Sequence, residues 1–114
     1  MSRDRLPAHI EVASLIRAVQ ASAGFAAILK KGDADRGALL LSIASRGQHF
    51  ACLERVLSIS GSYAWERVGP GDSAGPQEVS DFLARRTRFD EDMWILELDI
   101  ASPERFIAET IPTG

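Results

Sequence analysis

The chain has 114 residues, of which 46% are apolar and 25% charged, and thirteen basic against sixteen acidic residues give it a net charge of −3. This length and composition predict one globular domain over residues 1–114, with an ordered core over about residues 6–109. The acidic balance disfavours a nucleic-acid partner, and no apolar run reaches the ~18 residues of a membrane span. A single cysteine, Cys52, excludes an intrachain disulfide, and no signal peptide is recognised, so we expect a cytoplasmic protein.

The first part of the chain predicts a helix followed by two paired strands. Apolar residues at helical spacing indicate an amphipathic helix between Pro7 and Gly24. Residues 25–30 and 38–43 are typical of strands, and residues 32–37 (Gly-Asp-Ala-Asp-Arg-Gly) have the composition of a turn. We therefore expect a hairpin, whose second strand is covered on both faces because its apolar run is continuous.

The remainder of the chain predicts three more strands and two more helices. Residues 50–57 and 63–68 would continue the hairpin as a four-stranded antiparallel meander. A helix begins at Pro76 and ends at Asp90, residues 93–100 form a fifth strand, and Ser102 caps a short final helix. The predicted fold class is α+β: an approximately five-stranded, largely antiparallel sheet packed with two main helices and a short C-terminal helix.

The turn at residues 32–37 is the first candidate site. Asp33 and Asp35 lie two residues apart, and their carboxylates could together bind a hard cation, with Arg36 beside them. An EF-hand loop would need a glutamate at its twelfth position, where this chain has Ala44. The structural interpretation is that both aspartates stabilise a solvated turn through backbone hydrogen bonds.

A second candidate site lies where the second helix meets the fifth strand. Its ligand-binding candidates are Arg88, Asp90, Asp92 and Trp94. A carboxylate here could bind a cation or act as a general base. The structural interpretation is that Arg85 or Arg88, favoured by the helix dipole, pairs with a carboxylate of the acidic turn. A site that uses both aspartate-rich turns requires them to meet at one end of the sheet.

No established catalytic motif accompanies these candidates. His49 and Cys52 lack the surroundings of a catalytic base or nucleophile, and the chain has no phosphate-binding loop, dinucleotide fingerprint or zinc-ligand spacing. The arginines at residues 85–88 could contact phosphate, but the acidic turn beside them would repel a polyanion. We therefore predict no catalytic residue, no cofactor and no metal.

Three segments together resemble a known family. They are residues 31–37 (Lys-Gly-Asp-Ala-Asp-Arg-Gly), residues 65–67 (Trp-Glu-Arg) and residues 88–94 (Arg-Phe-Asp-Glu-Asp-Met-Trp), preceded by the N-terminal helix. The pattern is similar to domain-of-unknown-function family 1491, a family of small bacterial proteins, from roughly Leu6 to Glu109. The chain departs from it at Glu91, where proline is common, and at Met93, where leucine is common. The resemblance implies an intact domain in the bacterial cytoplasm and brings no catalytic residues.

Two functions from different classes follow. The first is a non-enzymatic interaction or accessory domain that forms a homodimer, because a sheet of this kind has edges that need cover. The alternative is a protein, or an enzyme, that binds a small ligand or a divalent metal through its aspartate-rich turns. The sequence leaves both open, together with an unidentified protein or small-molecule partner.

Overall fold

The computed structural model describes residues 6–57 and 59–110. The elements within these residues are α1 (Ala8–Ala21), β1 (Phe25–Lys30), β2 (Leu39–Ser45), β3 (Gln48–Leu57), β4 (Tyr63–Val68), α2 (Pro76–Phe89), β5 (Trp94–Asp99) and α3 (Pro103–Thr110). Pro76 begins α2, where its missing N–H costs nothing, and Asp90 ends that helix in an extended conformation. No helix in this described part of the chain is long and apolar enough to cross a membrane.

The five strands form one sheet in the order β1-β5-β2-β3-β4. Three of the four neighbouring pairs are antiparallel, and the pair β2–β5 is parallel. With helices on both faces, this arrangement confirms the predicted α+β class and its largely antiparallel sheet.

The predicted hairpin between the first two strands is wrong. β5 lies between β1 and β2, so within residues 6–57 and 59–110 β1 pairs only with β5, and the meander is restricted to β2, β3 and β4. β5 runs antiparallel to β1 and parallel to β2, which places the end of β1 and the start of β2 on either side of the start of β5. Residues 32–37, which were predicted to form a hairpin turn, therefore cross over the start of β5. We call this segment the bridge.

The sheet has an apolar cluster on each face. The larger one packs β2, β3 and β5 against α1 and α3 through Val12, Val19 and Ile107. The smaller one is formed by four buried residues, with Phe82 and Leu83 of α2 packed against it: Leu40, Cys52, Met93 and Ile95. β2 is thus covered on both faces, as its continuous apolar run predicts, and α2 covers only part of its face.

Candidate functional site

The two aspartate-rich turns meet at one end of the sheet, through their backbones. The N–H of Asp33 donates to the carbonyl oxygen of Asp92 at 2.9 Å. The indole N–H of Trp94 donates to the carbonyl oxygen of Asp33 at 2.7 Å. Trp94 itself is buried at the start of β5, and its ring packs against the bridge. The geometric condition for a shared site is met, but the atoms that meet are main-chain and indole atoms.

Two glycines make this close approach possible. A Cβ atom on Gly32 would lie 2.2 Å from the carbonyl oxygen of Asp92, and one on Gly37 would lie 2.4 Å from the same atom. Both would also come within 3 Å of the Trp94 ring. The glycines at the two ends of the bridge are therefore required by contact with the start of β5, whereas a hairpin turn would need them for its backbone angles.

Two of the four candidate carboxylates are engaged within their own turns. Oδ2 of Asp33 accepts from the backbone N–H groups of Asp35 and Arg36, at 3.1 and 2.7 Å. Oδ1 of Asp90 accepts from the N–H of Asp92 at 3.0 Å. The side chains of Asp35, Arg36 and Asp92 are exposed. Among the described residues, no three His, Cys, Asp or Glu side chains lie together as a possible metal site.

The arginines at the end of α2 differ from their predicted pairing. Arg85 and Arg88 are exposed, and neither forms an ion pair with a carboxylate of the turn in the described part of the chain. Arg86 instead turns toward the sheet and donates to Glu54 of β3 at 2.6 Å. A ligand role for Arg88 and for the other predicted site residues stays a prediction: Asp33, Asp35, Arg36, Asp90, Asp92 and Trp94.

A concave site lies elsewhere, where α2 leaves part of the sheet uncovered. A cavity of about 470 Å³ separates the N-terminal half of α2 from the far ends of β2 and β5. Its lining includes Ser42, His49 and Glu97, together with apolar side chains from β1 and α2. Sequence analysis missed this site because its polar residues lie on three different strands and form no motif. The sequence signal for this site is the change from apolar to acidic residues along one face of β5, from Ile95 to Glu97.

Comparisons with known proteins agree with this fold. The family model for a protein of unknown function, DUF1491, matches residues 6–108. A DUF1491 family protein from Caulobacter crescentus is 26% identical in its crystal structure (TM-score 0.75, 83% of this chain and 88% of that chain). An NMR structure from the same organism gives 27% identity (TM-score 0.77, 95% and 97% covered).

A further solved relative comes from a second organism. A solution structure from A. tumefaciens is 28% identical, with a TM-score of 0.71, and covers 84% of this chain and 86% of that chain. Among curated proteins no match was found. The family match extends over nearly the whole chain and includes both aspartate-rich turns and every strand. The chain therefore belongs to the DUF1491 family of proteins of unknown function.

Proposed function

We propose that this chain is a non-enzymatic interaction domain that forms a homodimer through the outer edge of β1. The observation that carries the proposal is an edge strand with an apolar surface: Phe25, Ile28 and Leu29 are 57%, 47% and 51% exposed. Among the strands of the described residues, β1 has a neighbour on one side only, which leaves its outer backbone N–H and C=O groups to another strand.

The opposite edge of the sheet supports the choice of β1. β4 carries exposed charges at Glu66 and Arg67, and charged side chains are a common protection of edge strands. The guanidinium of Arg55 lies 5.0 Å from the ring centre of Trp65 and covers part of the same strand. β4 therefore has the features of an edge that stays solvated, and β1 does not.

The one charged residue of β1 does not shield its outer edge. The ammonium group of Lys30 donates to the carbonyl oxygens of Glu91 and Met93, the latter at 3.0 Å. These carbonyls belong to the turn before β5, on the inner side of β1. Lys30 therefore binds β1 to the sheet, and the apolar part of the strand has no charged side chain that would prevent pairing with another strand.

A symmetric dimer would satisfy this edge with a second copy of itself. Two β1 strands related by a two-fold axis would pair antiparallel and join two five-stranded sheets into one of ten strands. A single strand of six residues buries less than the ~800 Å² per partner of a standard interface. We therefore expect a dissociation constant in the roughly micromolar range.

Sedimentation velocity between about 1 and 500 µM tests the proposal. The wild-type chain should pass from monomer to dimer over this range, and Phe25→Lys should shift the midpoint to at least tenfold higher concentration. Ile59→Lys is the matched control, because Ile59 is fully exposed in the loop between β3 and β4. A monomer at every concentration, or equal effects of the two variants, would refute the role of β1.

The bacterial cytoplasm is the setting that we propose for this function. Its support is the bacterial origin of the solved relatives and the single cysteine, which is a buried thiol. An oxidising compartment would favour small domains with paired cysteines. Fractionation of cells that express the native chain is the measurement, and recovery outside the cytoplasm would contradict this setting.

The alternative, a small-ligand or metal site at the aspartate-rich turns, has less support. The turns do meet, but Asp33 and Asp90 already accept backbone hydrogen bonds, which leaves Asp35 and Asp92 as the available carboxylates. Hard cations prefer six or more oxygen ligands. Titration with Mn²⁺, followed by paramagnetic broadening of amide signals, separates the two functions: saturable broadening confined to both turns would favour the alternative.

A further inference from the structure

The cavity beneath α2 has the size and the mixed lining of a small-molecule site. Its volume of about 470 Å³ lies within the range of ~300–1,000 Å³ typical of ligand pockets. Leu29, Val79 and Leu83 provide an apolar wall. Ser42 and Glu97, which are aligned in the parallel register of β2 and β5, provide a polar floor.

Glu97 is the group in this cavity that the fold does not explain. It lies partly buried on β5, a strand with neighbours on both sides. In the described part of the chain, its carboxylate has no hydrogen-bond or ion-pair partner. No side-chain oxygen of the described residues is both buried and unpaired, so the Glu97 carboxylate keeps contact with water in the open cavity and is available to a cationic ligand.

Other partly buried acids of this chain do have partners. Glu11 pairs with Arg55 at 2.5 Å, and Glu54 pairs with Arg86 at 2.6 Å. Asp99, two residues after Glu97 on the same strand face, accepts from two backbone N–H groups of the β2–β3 turn, at 2.9 and 2.8 Å. The missing partner is therefore specific to the acid that lines the cavity.

The neighbouring polar groups present acceptors to the same space. The hydroxyl of Ser42, only 7% exposed, lines the cavity, and its oxygen can accept a hydrogen bond. Nε2 of His49 lies 3.1 Å from the carbonyl oxygen of Pro70 and donates to it, so that Nδ1 of a neutral ring is an acceptor. A ligand that brings hydrogen-bond donors and positive charge would match this set.

The N-terminus of α2 above the cavity does not change the preference of the site for a positively charged ligand. The N-terminus of α2 has the positive end of its dipole near the opening, and an anion could be attracted there. Glu78 in the first turn of α2 already complements this end of the helix. Of the charges that the described residues bring to this cavity, the negative charge of Glu97 is the one that has no opposite charge beside it.

We propose that this cavity binds a small organic amine, with its ammonium group at Glu97 and its hydrocarbon body against Leu29, Val79 and Leu83. The carboxylate gives the charge selectivity, and the apolar wall gives the preference for an alkyl or aryl substituent. This function goes beyond the β1 dimer, with which it shares Leu29, because the charged group that it uses, Glu97, lies on β5 and not at the edge of the sheet.

Three probes of the same shape test the proposal: 2-phenylethylammonium, 2-phenylethanol and 3-phenylpropanoate. Each is titrated into ¹⁵N-labelled protein at neutral pH, and the amide chemical shifts are followed. We expect the ammonium probe to bind with a dissociation constant in the roughly millimolar range, with its largest shifts at amides around the cavity. The neutral and anionic probes should bind at least tenfold more weakly.

Two variants assign that selectivity to one residue. Glu97→Gln keeps the shape of the side chain and should weaken the ammonium probe by about tenfold or more, while 2-phenylethanol is unaffected. Glu66→Gln on the exposed face of β4 removes the same charge away from the cavity and should change neither. If Glu97→Gln does not fold, the relative affinities of the cationic, neutral and anionic probes for the wild-type chain still test the proposal.

Several results would overturn the proposal. They are tighter binding of 3-phenylpropanoate than of the ammonium probe, equal affinity of wild type and Glu97→Gln, shifts that map outside the cavity, and no saturable shift up to about 50 mM. The concentration dependence of sedimentation is measured in the same samples. A failure of dimer formation with intact amine binding would refute only the proposed β1 interface.

Discussion

Replacement of Gly32 by alanine should be among the most destabilising single-methyl additions in this chain. The added Cβ would stand 2.2 Å from the carbonyl oxygen of Asp92 and 2.8 Å from the Trp94 ring. Ordinary contacts at these positions are about 3.4 Å, so the bridge would have to move by about 1 Å. The obstructing atom is a backbone oxygen in the turn directly before β5 and cannot rotate away as a side chain could.

The cost follows from what such a movement breaks. Two hydrogen bonds hold the bridge, from Asp33 N–H to the Asp92 carbonyl and from the Trp94 indole to the Asp33 carbonyl. Each contributes about 1 kcal/mol, and leaving a buried indole N–H unsatisfied costs about 1–3 kcal/mol. With residual strain in β5, we expect a loss of about 3–5 kcal/mol in the free energy of unfolding, a large share of a small domain's stability.

Urea denaturation followed by tryptophan fluorescence measures this loss, because Trp94 is itself part of the contact. Gly71→Ala is the matched control: no atom lies within 4 Å of its Cβ position, and its stability should change by about 0.5 kcal/mol or less. A decrease of less than about 1 kcal/mol in the free energy of unfolding of Gly32→Ala, at an unchanged m-value, would mean that the bridge can move at little cost. That result would refute the steric reasoning.

Two further predictions concern Asp99 and Cys52. Asp99→Ala removes the carboxylate that accepts from the two backbone N–H groups of the β2–β3 turn, and we expect a loss of about 1–2 kcal/mol by urea denaturation; an unchanged midpoint would contradict this. Burial raises the pKa of the Cys52 thiol from 9.0 to about 11, against a hydrogen bond from Ser42 that lowers it. As pH rises, the thiol therefore loses its proton in the unfolded chain before it does so in the folded chain. The contribution of the buried neutral thiol to the free energy of unfolding is complete below pH 9 and disappears by about pH 11. Relative to wild type, the stability deficit of Cys52→Ala should narrow by about 2–3 kcal/mol over that range, and a constant deficit would refute the linkage.

The elements of this fold could be predicted from local signals, and the order of the strands could not. Pro76 at the start of α2 and the apolar run of β2 are local features, and the structure confirms both predictions. The pairing of β1 depends on β5, which follows it by more than sixty residues. Strands that follow each other closely in a chain usually pair, and here a later strand takes the place between them.

The two candidate sites differ in the same way. Asp33 and Asp90 stood out because they lie in short acidic segments, and the structure engages their carboxylates in local hydrogen bonds that such segments favour. The cavity beneath α2 brings together Ser42, His49 and Glu97, which are separated by up to 55 residues (97 − 42). No local pattern joins them, and only the unusual acid on a central strand pointed to the site.

The bridge over β5 connects the strand order to the proposed interaction surface. Since β5 is the one strand that pairs with β1 in the described part of the chain, the place of β1 in the sheet depends on that pairing, on the bridge and on Lys30. The glycines at either end of the bridge let it cross the start of β5 in direct contact, which fixes where β1 ends. The insertion of β5 separates β1 from β2 and leaves β1 as the end strand of the sheet, bound to it through β5. At that edge the apolar strand lies where a second copy of the chain can reach it.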